Sequence, residues 1–530
     1  MAILMAMAVC AIVGAARDAG AGELLLPNEL EYLGAFRMPG DLETGSEWQS
    51  GGGGMTYVPT GDAGGPNDGF PGSLMAIGKH PVVSEFSIPM PRIPEDDYDG
   101  RDLNRGLTLQ PFADPTGGVR GDVDLDKLGG IAYLRAQPGQ TTDKLYWTIY
   151  EYYNANGDNF LSHGMSELDL SNPQPQGAWR LGSADDDDFH SMKTADYIFD
   201  APEDWADENL GGRYLVSGRH RENGAFGGAQ GPALYAFAPW QESTLTPGAE
   251  MDAVCLLRYP TGGGHFPNYC AADWWSGGAW LSAGNRSAVM IVGSKGVGEV
   301  YYGEGGGNRC SSSKGFHCDP YEPQFLFYNP DELAAVARGE LEPWQVLPYA
   351  TIVPSEMWPK CRIRPVGIAF DRDRGLIYVM QYNGARIPAE TGTRVPLVHT
   401  WRIRSERRPG AQMVLEDRVP DSSAQGTGGE TADRALESVA PKALALVDPN
   451  GIAVSPNPST GITAISLAAG VQPETAYARV YDLAGREVAD LGQLDHQGVQ
   501  WNAQDLSTGV YFVRVVTETG AVTKKVSLLR

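Results

Sequence analysis

The residues most suited to chemistry form a basic cluster in "GRYLVSGRHRENGAFGG", which runs from Gly211 to Gly227. The first half of this segment is apolar and β-prone, and the second half places Arg219, His220, Arg221 and Glu222 among glycines. Guanidinium groups hold carboxylates through paired hydrogen bonds, and imidazole transfers protons near neutral pH. Because the whole chain has a formal net charge of −25, the cluster indicates a local site for an anionic ligand.

Two catalytic interpretations use these residue types. A glycoside hydrolase needs two carboxylates that flank the scissile bond, and Glu151 and Glu222 are the candidates. A polyuronate lyase needs a proton-abstracting His or Tyr and a cation that neutralises the substrate carboxylate. The lyase candidates are His220, Tyr150, Arg219 and Lys79. A non-catalytic glycan-binding or adhesive scaffold needs similar cations without a paired acid and base, so the sequence leaves open whether the chain is an enzyme.

The elements that position these residues repeat along the chain. Five similar segments end at Tyr57, Tyr133, Tyr197, Trp274 and Phe370, and each is followed by further short apolar strands. The fifth repeat lacks a fourth strand, but "LEYLGAFRMP" near the N-terminus resembles one and would leave no open sheet edge. We therefore expect an all-β fold with a five-bladed β-propeller over residues 23–404. Six to eight blades, or a large β-sandwich, are the alternatives.

In a propeller, the loops between second and third strands lie on one face together with the links between blades. That face surrounds the central channel and is the expected site. An extracellular glycan, carboxylated or sulfated, is the expected ligand, and a surface protein is the alternative partner. Besides Tyr150 and Glu151, the candidate ligand-binding residues on this face are Lys79, His80, Arg219, Arg221, Lys295, Arg362, Arg364, Tyr382, Trp48 and His265.

The N-terminal sequence and the charge predict where the protein acts. An apolar run over residues 2–16 is followed by Ala19-Gly20-Ala21, which fits a signal-peptidase site and predicts a signal peptide over residues 1–22. Acidic residues outnumber basic ones by 66 to 41, which disfavours nucleic-acid partners. We expect an exported protein without a transmembrane segment in the mature chain.

Cysteine spacing predicts disulfide bonds and no metal site. Cys310 and Cys318 bracket "CSSSKGFHC", and Cys255 and Cys270 are placed to join adjacent strands. No cysteine pair has CxxC spacing, so a Cys/His zinc site is not expected. The acidic stretches 122–126 and 185–188 do not match an EF-hand, which leaves structural Ca²⁺ as an alternative and no other cofactor expected.

The sequence pattern changes after residues 405–449, a polar stretch with the composition of a flexible linker. Its ordered motifs are Pro456-Asn457-Pro458, Tyr481-Asp482 with Gly485-Arg486, Trp501-Asn502, Leu506 to Tyr511, and Lys524-Lys525. In order and spacing, residues 450–530 resemble the type A C-terminal sorting domain of type IX secretion cargo and the related flagellar hook-capping Ig-like fold. The resemblance implies a small β-sandwich, recognition by an outer-membrane translocon, and a secreted or outer-surface location.

Overall fold

The computed structural model of the protein contains two compact units, Met1–Arg408 and Pro409–Arg530. The structure describes residues 22–41, 43, 45–62, 69–94, 100–151, 154, 157–219, 230–241, 245–260, 264–303, 315–357, 364–387, 393–405, 452–455, 461–467, 477–482, 487–493, 498–504, 506–507, 509–517 and 520–528. The predicted signal peptide therefore lies outside the described residues except for Gly22, and the predicted linker lies outside them except for Ser405.

The first unit begins with two strands that join later sheets, β1 (Glu23–Leu24) and β2 (Leu30–Arg37). The first sheet contains β3 (Met55–Val58), β4 (Gly69–Ile77), β5 (Val83–Pro89) and β6 (Thr108–Ala113). The second contains β7 (Lys127–Leu134), β8 (Lys144–Tyr150), β9 (His163–Ser166) and β10 (Gln176–Leu181). The third contains β11 (Tyr197–Asp200), β12 (Leu215–Gly218), β13 (Leu234–Phe237) and β15 (Ala253–Leu257), while β14 (Glu250–Met251) pairs with β10.

The fourth and fifth sheets complete this unit. The fourth contains β16 (Trp274–Ala283), β17 (Arg286–Tyr302), β18 (Phe316–Tyr328) and β19 (Ala350–Ile352), with β1 parallel to the start of β17. The fifth contains β20 (Arg364–Asp371), β21 (Leu376–Ile387) and β22 (Thr393–Ile403). Short helices lie between strands: α1 (Val119–Asp122), α2 (Glu203–Leu210) and α3 (Pro330–Ala337). Among the described residues, no helix is both long and apolar enough to span a membrane.

The N-terminal strand β2 supplies the fourth strand of the fifth sheet. It runs antiparallel to β22, with Phe36 opposite Val398 and Leu30 opposite Ile403. The edge of β22 is therefore paired with a segment more than 350 residues earlier in the sequence. This pairing removes an exposed row of backbone hydrogen-bonding groups, which is what the N-terminal strand motif predicts.

Glycines let the first strands of neighbouring sheets approach one another closely. A Cβ atom on Gly130 would lie 2.6 Å from the backbone nitrogen of Ile198, and one on Gly54 would lie 2.9 Å from the Cα of Gly130. In the same way, a Cβ on Gly367 would lie 2.3 Å from the carbonyl oxygen of Gly53. Contacts join β3 to β7, β7 to β11, β11 to β16, β16 to β20, and β20 to β3. The five first strands therefore contact one another in cyclic order.

Five apolar layers fill the spaces between successive sheets. Between the first and second sheets the layer contains Val58 and Trp147, and between the second and third it contains Tyr146 and Tyr235. The remaining layers lie between the third and fourth, the fourth and fifth, and the fifth and first sheets. The prediction of an all-β protein is confirmed, and burial of both faces explains the nearly continuous apolar runs in strands such as β8.

The second unit contains two sheets that share one core. One sheet contains β23 (Ile452–Ser455), β24 (Ile462–Leu467) and β27 (Val499–Asn502). The other contains β25 (Tyr477–Asp482), β26 (Glu487–Gln493), β28 (Gly509–Thr517) and β29 (Gly520–Leu528). Trp501 from the first sheet packs edge-on against Tyr511 from the second. Alternation of buried and exposed residues in β25 and β28 places one face of the second sheet on this core.

Candidate functional site

A cavity of about 340 Å³ is lined by the first strands of all five sheets. Its walls come from β3, β7, β11, β16 and β20 and from the segments that follow β3, β7, β11 and β20. The polar and aromatic lining residues are Thr56, Tyr57, Tyr133, Arg135, Phe199, Asp200, Glu203, Asp204, Phe370, Asp371, Arg372 and Asp373. A cavity of this volume falls within the range of about 300–1,000 Å³ typical of small-molecule sites.

The first polar pair of the cavity joins the second and third sheets. Arg135 follows β7, and Glu203 is the first residue of α2, which begins after β11. The guanidinium donates from Nε and Nη2 to the two carboxylate oxygens, each over 2.5 Å. This two-point contact fixes the plane of the guanidinium, and it raises the pKa of Arg135. The carboxylate of Glu203 is therefore engaged by the protein itself.

The second pair joins the third, fourth and fifth sheets. Arg372, after β20, donates from Nη2 to Oδ2 of Asp200 over 2.7 Å. Its other terminal nitrogen donates to the carbonyl oxygen of Trp280 and to Oγ of Ser282. The guanidinium also lies 5.6 Å from the ring centre of Phe370. Because Arg372 is tied to three sheets, its position in the cavity wall is well defined.

Asp371 supports the turn after β20. One of its oxygens accepts the backbone N–H groups of Asp373 and Arg374, and the other forms an ion pair with Arg374 over 3.2 Å. Burial raises the pKa of Asp371, while the hydrogen bonds and the charge of Arg374 lower it. The carboxylate is fully engaged in holding the turn.

Two tyrosines add aromatic surface to the cavity. The hydroxyl of Tyr57 donates to the carbonyl oxygen of Pro71 over 3.1 Å, and that of Tyr133 donates to Oδ2 of Asp143 over 2.7 Å. Burial raises the pKa of both phenols, so both are protonated at neutral pH. Tyr133 also joins the second sheet to the first, because its backbone N–H donates to Oγ1 of Thr56 over 2.9 Å.

The cavity is acidic as a whole. Five of the residues that line it carry a carboxylate, namely Asp200, Glu203, Asp204, Asp371 and Asp373, and two carry a guanidinium, Arg135 and Arg372. Both guanidinium groups already contact carboxylates. The field inside the cavity therefore disfavours a ligand with its own sulfate or carboxylate groups.

Part of the site predicted from the sequence forms a second, much smaller pocket of about 10 Å³. It brings together Tyr150 at the end of β8, Glu151 after it and Arg219 after β12. Ser191 and Asp196 complete the polar lining. Arg219 is buried there. Its predicted neighbours His220, Arg221 and Glu222 lie outside the described residues, so the proposed pair of Glu151 with Glu222 and the lyase roles of His220 stay predictions.

The other predicted ligand-binding residues are distributed over several local environments. The ring Nδ1 of His80 contacts Glu47 over 2.8 Å, and the backbone N–H of the exposed Lys79 donates to the carbonyl oxygen of Glu47 over 2.8 Å. His265 is exposed, with its ring 5.9 Å from that of Trp344. Trp48 is only 1% exposed and packs against Phe86 and Phe112. The prediction of Trp48 as a ligand-binding residue is corrected, because its indole belongs to the core.

Predicted cations of the fourth and fifth sheets are held by neighbours. Nζ of the buried Lys295 donates to both oxygens of Asp273 over 2.9 Å. Burial raises the pKa of Asp273, and the Lys295 charge opposes that shift. The guanidinium of Arg364 lies 3.8 Å above the Trp274 ring, and Arg364 pairs with Tyr382 in the strand register. Arg362 lies outside the described residues.

The cysteines differ from the predicted pairs. Cys255, Cys270 and Cys318 are free thiols, so the structure gives no support to the predicted Cys255–Cys270 bond. Cys310, the predicted partner of Cys318, lies outside the described residues, and that pairing stays a prediction. Cys255 packs in the apolar layer between the second and third sheets, opposite Tyr235. Burial there raises the pKa of its thiol to about 12. Cys270 instead lies beside Cys318 near Gly296.

The predicted calcium loops are held mainly by local hydrogen bonds. Oδ1 of Asp186 accepts the backbone N–H of Asp188, and Asp188 forms an ion pair with Arg258 over 2.7 Å. Across the described part of the chain, no group of three or more His, Cys, Asp or Glu residues is arranged to hold a metal ion.

Comparison with known proteins assigns the second unit. Residues 453–528 match the family described as the secretion system C-terminal sorting domain. This match confirms the resemblance found in the sequence, and it places the protein outside the cell or on its outer surface. The sorting domain also implies an interaction with the type IX secretion machinery.

The family match does not extend to the first unit. No curated protein matches the chain. One similar solved structure is the extracellular domain of a one-component system from B. thetaiotaomicron, with 9% sequence identity and a TM-score of 0.23. The alignment covers 94% of this chain and 59% of that one, so this chain spans less than two thirds of its length. A similarity of this size carries no argument about fold or activity.

Proposed function

We propose that the first unit is a five-bladed β-propeller, exported by the sorting domain, that binds an extracellular glycan in its central cavity. The propeller interpretation rests on five sheets of four or five strands whose first strands contact one another in cyclic order. It also rests on β2, which pairs the last sheet with the N-terminal segment. In such a propeller the cavity lined by the five first strands would lie on the central axis.

The cavity that all five first strands line is the observation that carries the binding proposal. Glycan sites combine aromatic surface with planar polar groups that accept and donate hydrogen bonds to hydroxyls. Tyr57, Tyr133 and Phe370 supply the aromatic surface, and the ion pairs Arg135–Glu203 and Arg372–Asp200 supply the polar groups. Both pairs are partly exposed, so their unused lone pairs and N–H groups face the ligand space.

The charge of the cavity selects among glycans. Its carboxylates outnumber its guanidinium groups by five to two. A uronate or sulfate group would meet repulsion there, whereas the hydroxyls of a neutral sugar would meet acceptors and donors. We therefore expect a neutral glycan in this cavity in place of the anionic glycan that the sequence suggested.

Binding fits the cavity better than hydrolysis. A hydrolase needs one carboxylate kept protonated and a second kept free beside the scissile bond. Three of the five cavity carboxylates already have protein partners: Glu203 contacts Arg135, Asp200 contacts Arg372, and Asp371 holds its own turn. The two arginine contacts position Glu203 and Asp200 as hydrogen-bond acceptors for a bound sugar.

Glycan-array screening of the secreted protein, followed by calorimetric titration of the strongest hit, tests the proposal. Arg372→Ala removes the contact with Asp200 and is expected to weaken binding of a neutral glycan roughly tenfold, or about 1.4 kcal/mol. Arg338→Ala is the matched control, because Arg338 forms a similar exposed ion pair with Glu340 over 2.8 Å and does not line the cavity. Equal affinity for the two variants, or hits confined to sulfated and carboxylated glycans, would contradict the proposal.

A further inference from the structure

Two of the free thiols lie together beside the outer half of the long hairpin formed by β17 and β18. Cys270 belongs to the link between the third and fourth sheets, four residues before β16. Cys318 lies in β18, opposite Val300 of β17. The two cysteines approach each other at Gly296, where the register between β17 and β18 begins to shift.

The distances at Gly296 place the two sulfur atoms close to one another. A Cβ atom on Gly296 would lie 2.8 Å from Sγ of Cys270 and 3.1 Å from Sγ of Cys318. The two sulfur atoms are therefore at most about 6 Å apart, a gap that side-chain rotation and small backbone shifts can close. Any residue larger than glycine at position 296 would occupy the space beside both sulfurs.

Local contacts hold both cysteines in place. Sγ of Cys318 accepts the backbone N–H of Gly298 over 3.0 Å, and its own backbone N–H donates to the Tyr321 hydroxyl over 3.0 Å. Sγ of Cys270 accepts the backbone N–H of Ala272 over 3.4 Å. Cys318 is 1% exposed, while Cys270 is partly exposed. Reagents therefore reach Cys270 before Cys318.

We propose that Cys270 and Cys318 form a disulfide bond after export, in place of the two pairings that the sequence suggested. The sorting domain takes the protein to an oxidising environment, where such bonds persist. The Cys270 thiolate attacks a sulfur of a disulfide oxidant and releases one thiol of that oxidant. The Cys318 thiolate then attacks the mixed disulfide and releases the second thiol. Two protons and two electrons leave the protein, and the oxidant is reduced to two thiols.

The bond joins the link before the fourth sheet to the outer half of its longest hairpin. Between the two cysteines, Asp273 and Lys295 form the buried ion pair, and the N–H of Gly296 donates to Oδ1 of Asp273 over 3.0 Å. Ring closure over this segment limits the freedom of the unfolded chain, which is the usual source of disulfide stabilisation. The bond therefore fixes the loop that carries Asp273 against the hairpin that carries Lys295.

Peptide mapping of the full secreted protein tests the proposal. The protein is alkylated in denaturant without reductant, digested, and analysed by mass spectrometry before and after reduction. The expected result is one linked peptide pair that contains Cys270 and Cys318 and separates on reduction. A Cys270→Ser variant is expected to leave Cys318 alkylated, whereas the control Cys255→Ser variant retains the linked pair.

Three results would overturn the proposal. They are full alkylation of both Cys270 and Cys318 in the unreduced protein, a bond from Cys318 to Cys310 or Cys361, and a bond from Cys270 to any cysteine other than Cys318. Mapping of the wild-type protein reads the pairing directly, so the answer does not depend on whether a serine variant folds.

Discussion

Two buried histidines show how single residues tie the first unit together. The His163 ring contacts Oγ of Ser162 and Oγ of Ser217, each over 2.9 Å, and so joins the second sheet to the third. The His399 ring contacts the Tyr32 hydroxyl and Oε1 of Gln381, again over 2.9 Å. Burial lowers the pKa of both rings to about 3, because a charged imidazolium would lose its hydration inside the protein.

The lowered pKa values predict a loss of stability in mild acid. An unfolded histidine binds a proton near pH 6.5, but each buried ring stays neutral down to about pH 3. As the pH falls below 6.5, the unfolded state gains protons that the folded state cannot, so the free energy of unfolding decreases. The expected slope is about 1.4 kcal/mol per pH unit for each histidine.

Denaturant unfolding between pH 6 and 4.5 measures this slope before most carboxylates titrate. His399→Gln is expected to reduce the slope by the contribution of one histidine. His80→Gln is the matched control, because the His80 side chain is 63% exposed. A wild-type free energy of unfolding that is constant over this interval would refute the assignment, as would equal slopes in His399→Gln and wild type.

The residues of the cavity show where prediction from sequence stops. Tyr57, Tyr133 and Phe370 were identified as ends of first strands, but their role as lining residues was not. Asp200 and Arg372 were missed. The repeated Phe-Asp pair at 199–200 and 370–371 was the available signal, and alignment of the third repeat on Tyr197, two residues earlier, concealed it. Polar residues occur at both ends of these strands, and only packing decides which end leaves an open cavity.

At the scale of elements, glycine residues allow the first strands of neighbouring sheets to pack closely. Glycines lie where the first strands meet a neighbouring sheet, at Gly130 in β7, at Gly367 in β20, and at Gly54 directly before β3. A side chain at these positions would collide with backbone atoms, which cannot move aside as a flexible side chain can. The strands β7 and β11 can therefore approach each other closely, and both line the cavity.

Gly130→Ala tests the close approach of β7 and β11. Its Cβ would lie 2.6 Å from the backbone nitrogen of Ile198 and 2.7 Å from the Cα of Tyr197. We expect a loss of about 1–3 kcal/mol in the free energy of unfolding, measured by denaturant titration. Gly121→Ala in α1 is the control, because its Cβ would meet no atom within 4 Å. A Gly130→Ala protein as stable as Gly121→Ala would show that these strands do not pack as described.

Most strands could be predicted, but their exact alignment could not. Among the short apolar strands predicted in the repeats, "LTLQPFADP" over residues 107–115 coincides with β6 and "GAWRLG" over residues 177–182 with β10. The N-terminal motif "LEYLGAFRMP" coincides with β2. Period and turn residues identify such segments. The fourth repeat was aligned on Trp274, which begins β16 and does not end it. Strands buried on both faces are apolar at nearly every position, so their sequence lacks the apolar–polar alternation that would fix where the strand begins and ends.

At the scale of the whole molecule, the second unit carries the export signal, and the proposed glycan binding is assigned to the first unit. The second unit is a sorting domain, and its ordered motifs allowed that prediction from about 80 residues of sequence. The first unit has no such set of motifs, because its site is assembled from five segments more than 300 residues apart at the extremes. Contacts of this kind depend on three-dimensional packing, and a single sequence does not display them.

The structure of the secreted protein bound to its strongest neutral glycan is the most direct test of the central claim. Crystals of the complex would show the sugar in relation to all five sheets at once. We expect electron density for the sugar in the central cavity, with its hydroxyls on the Arg372–Asp200 pair and its ring against Tyr57 or Tyr133. Density for the sugar beside Tyr150 and Arg219, or elsewhere on the surface with the cavity empty, would contradict it.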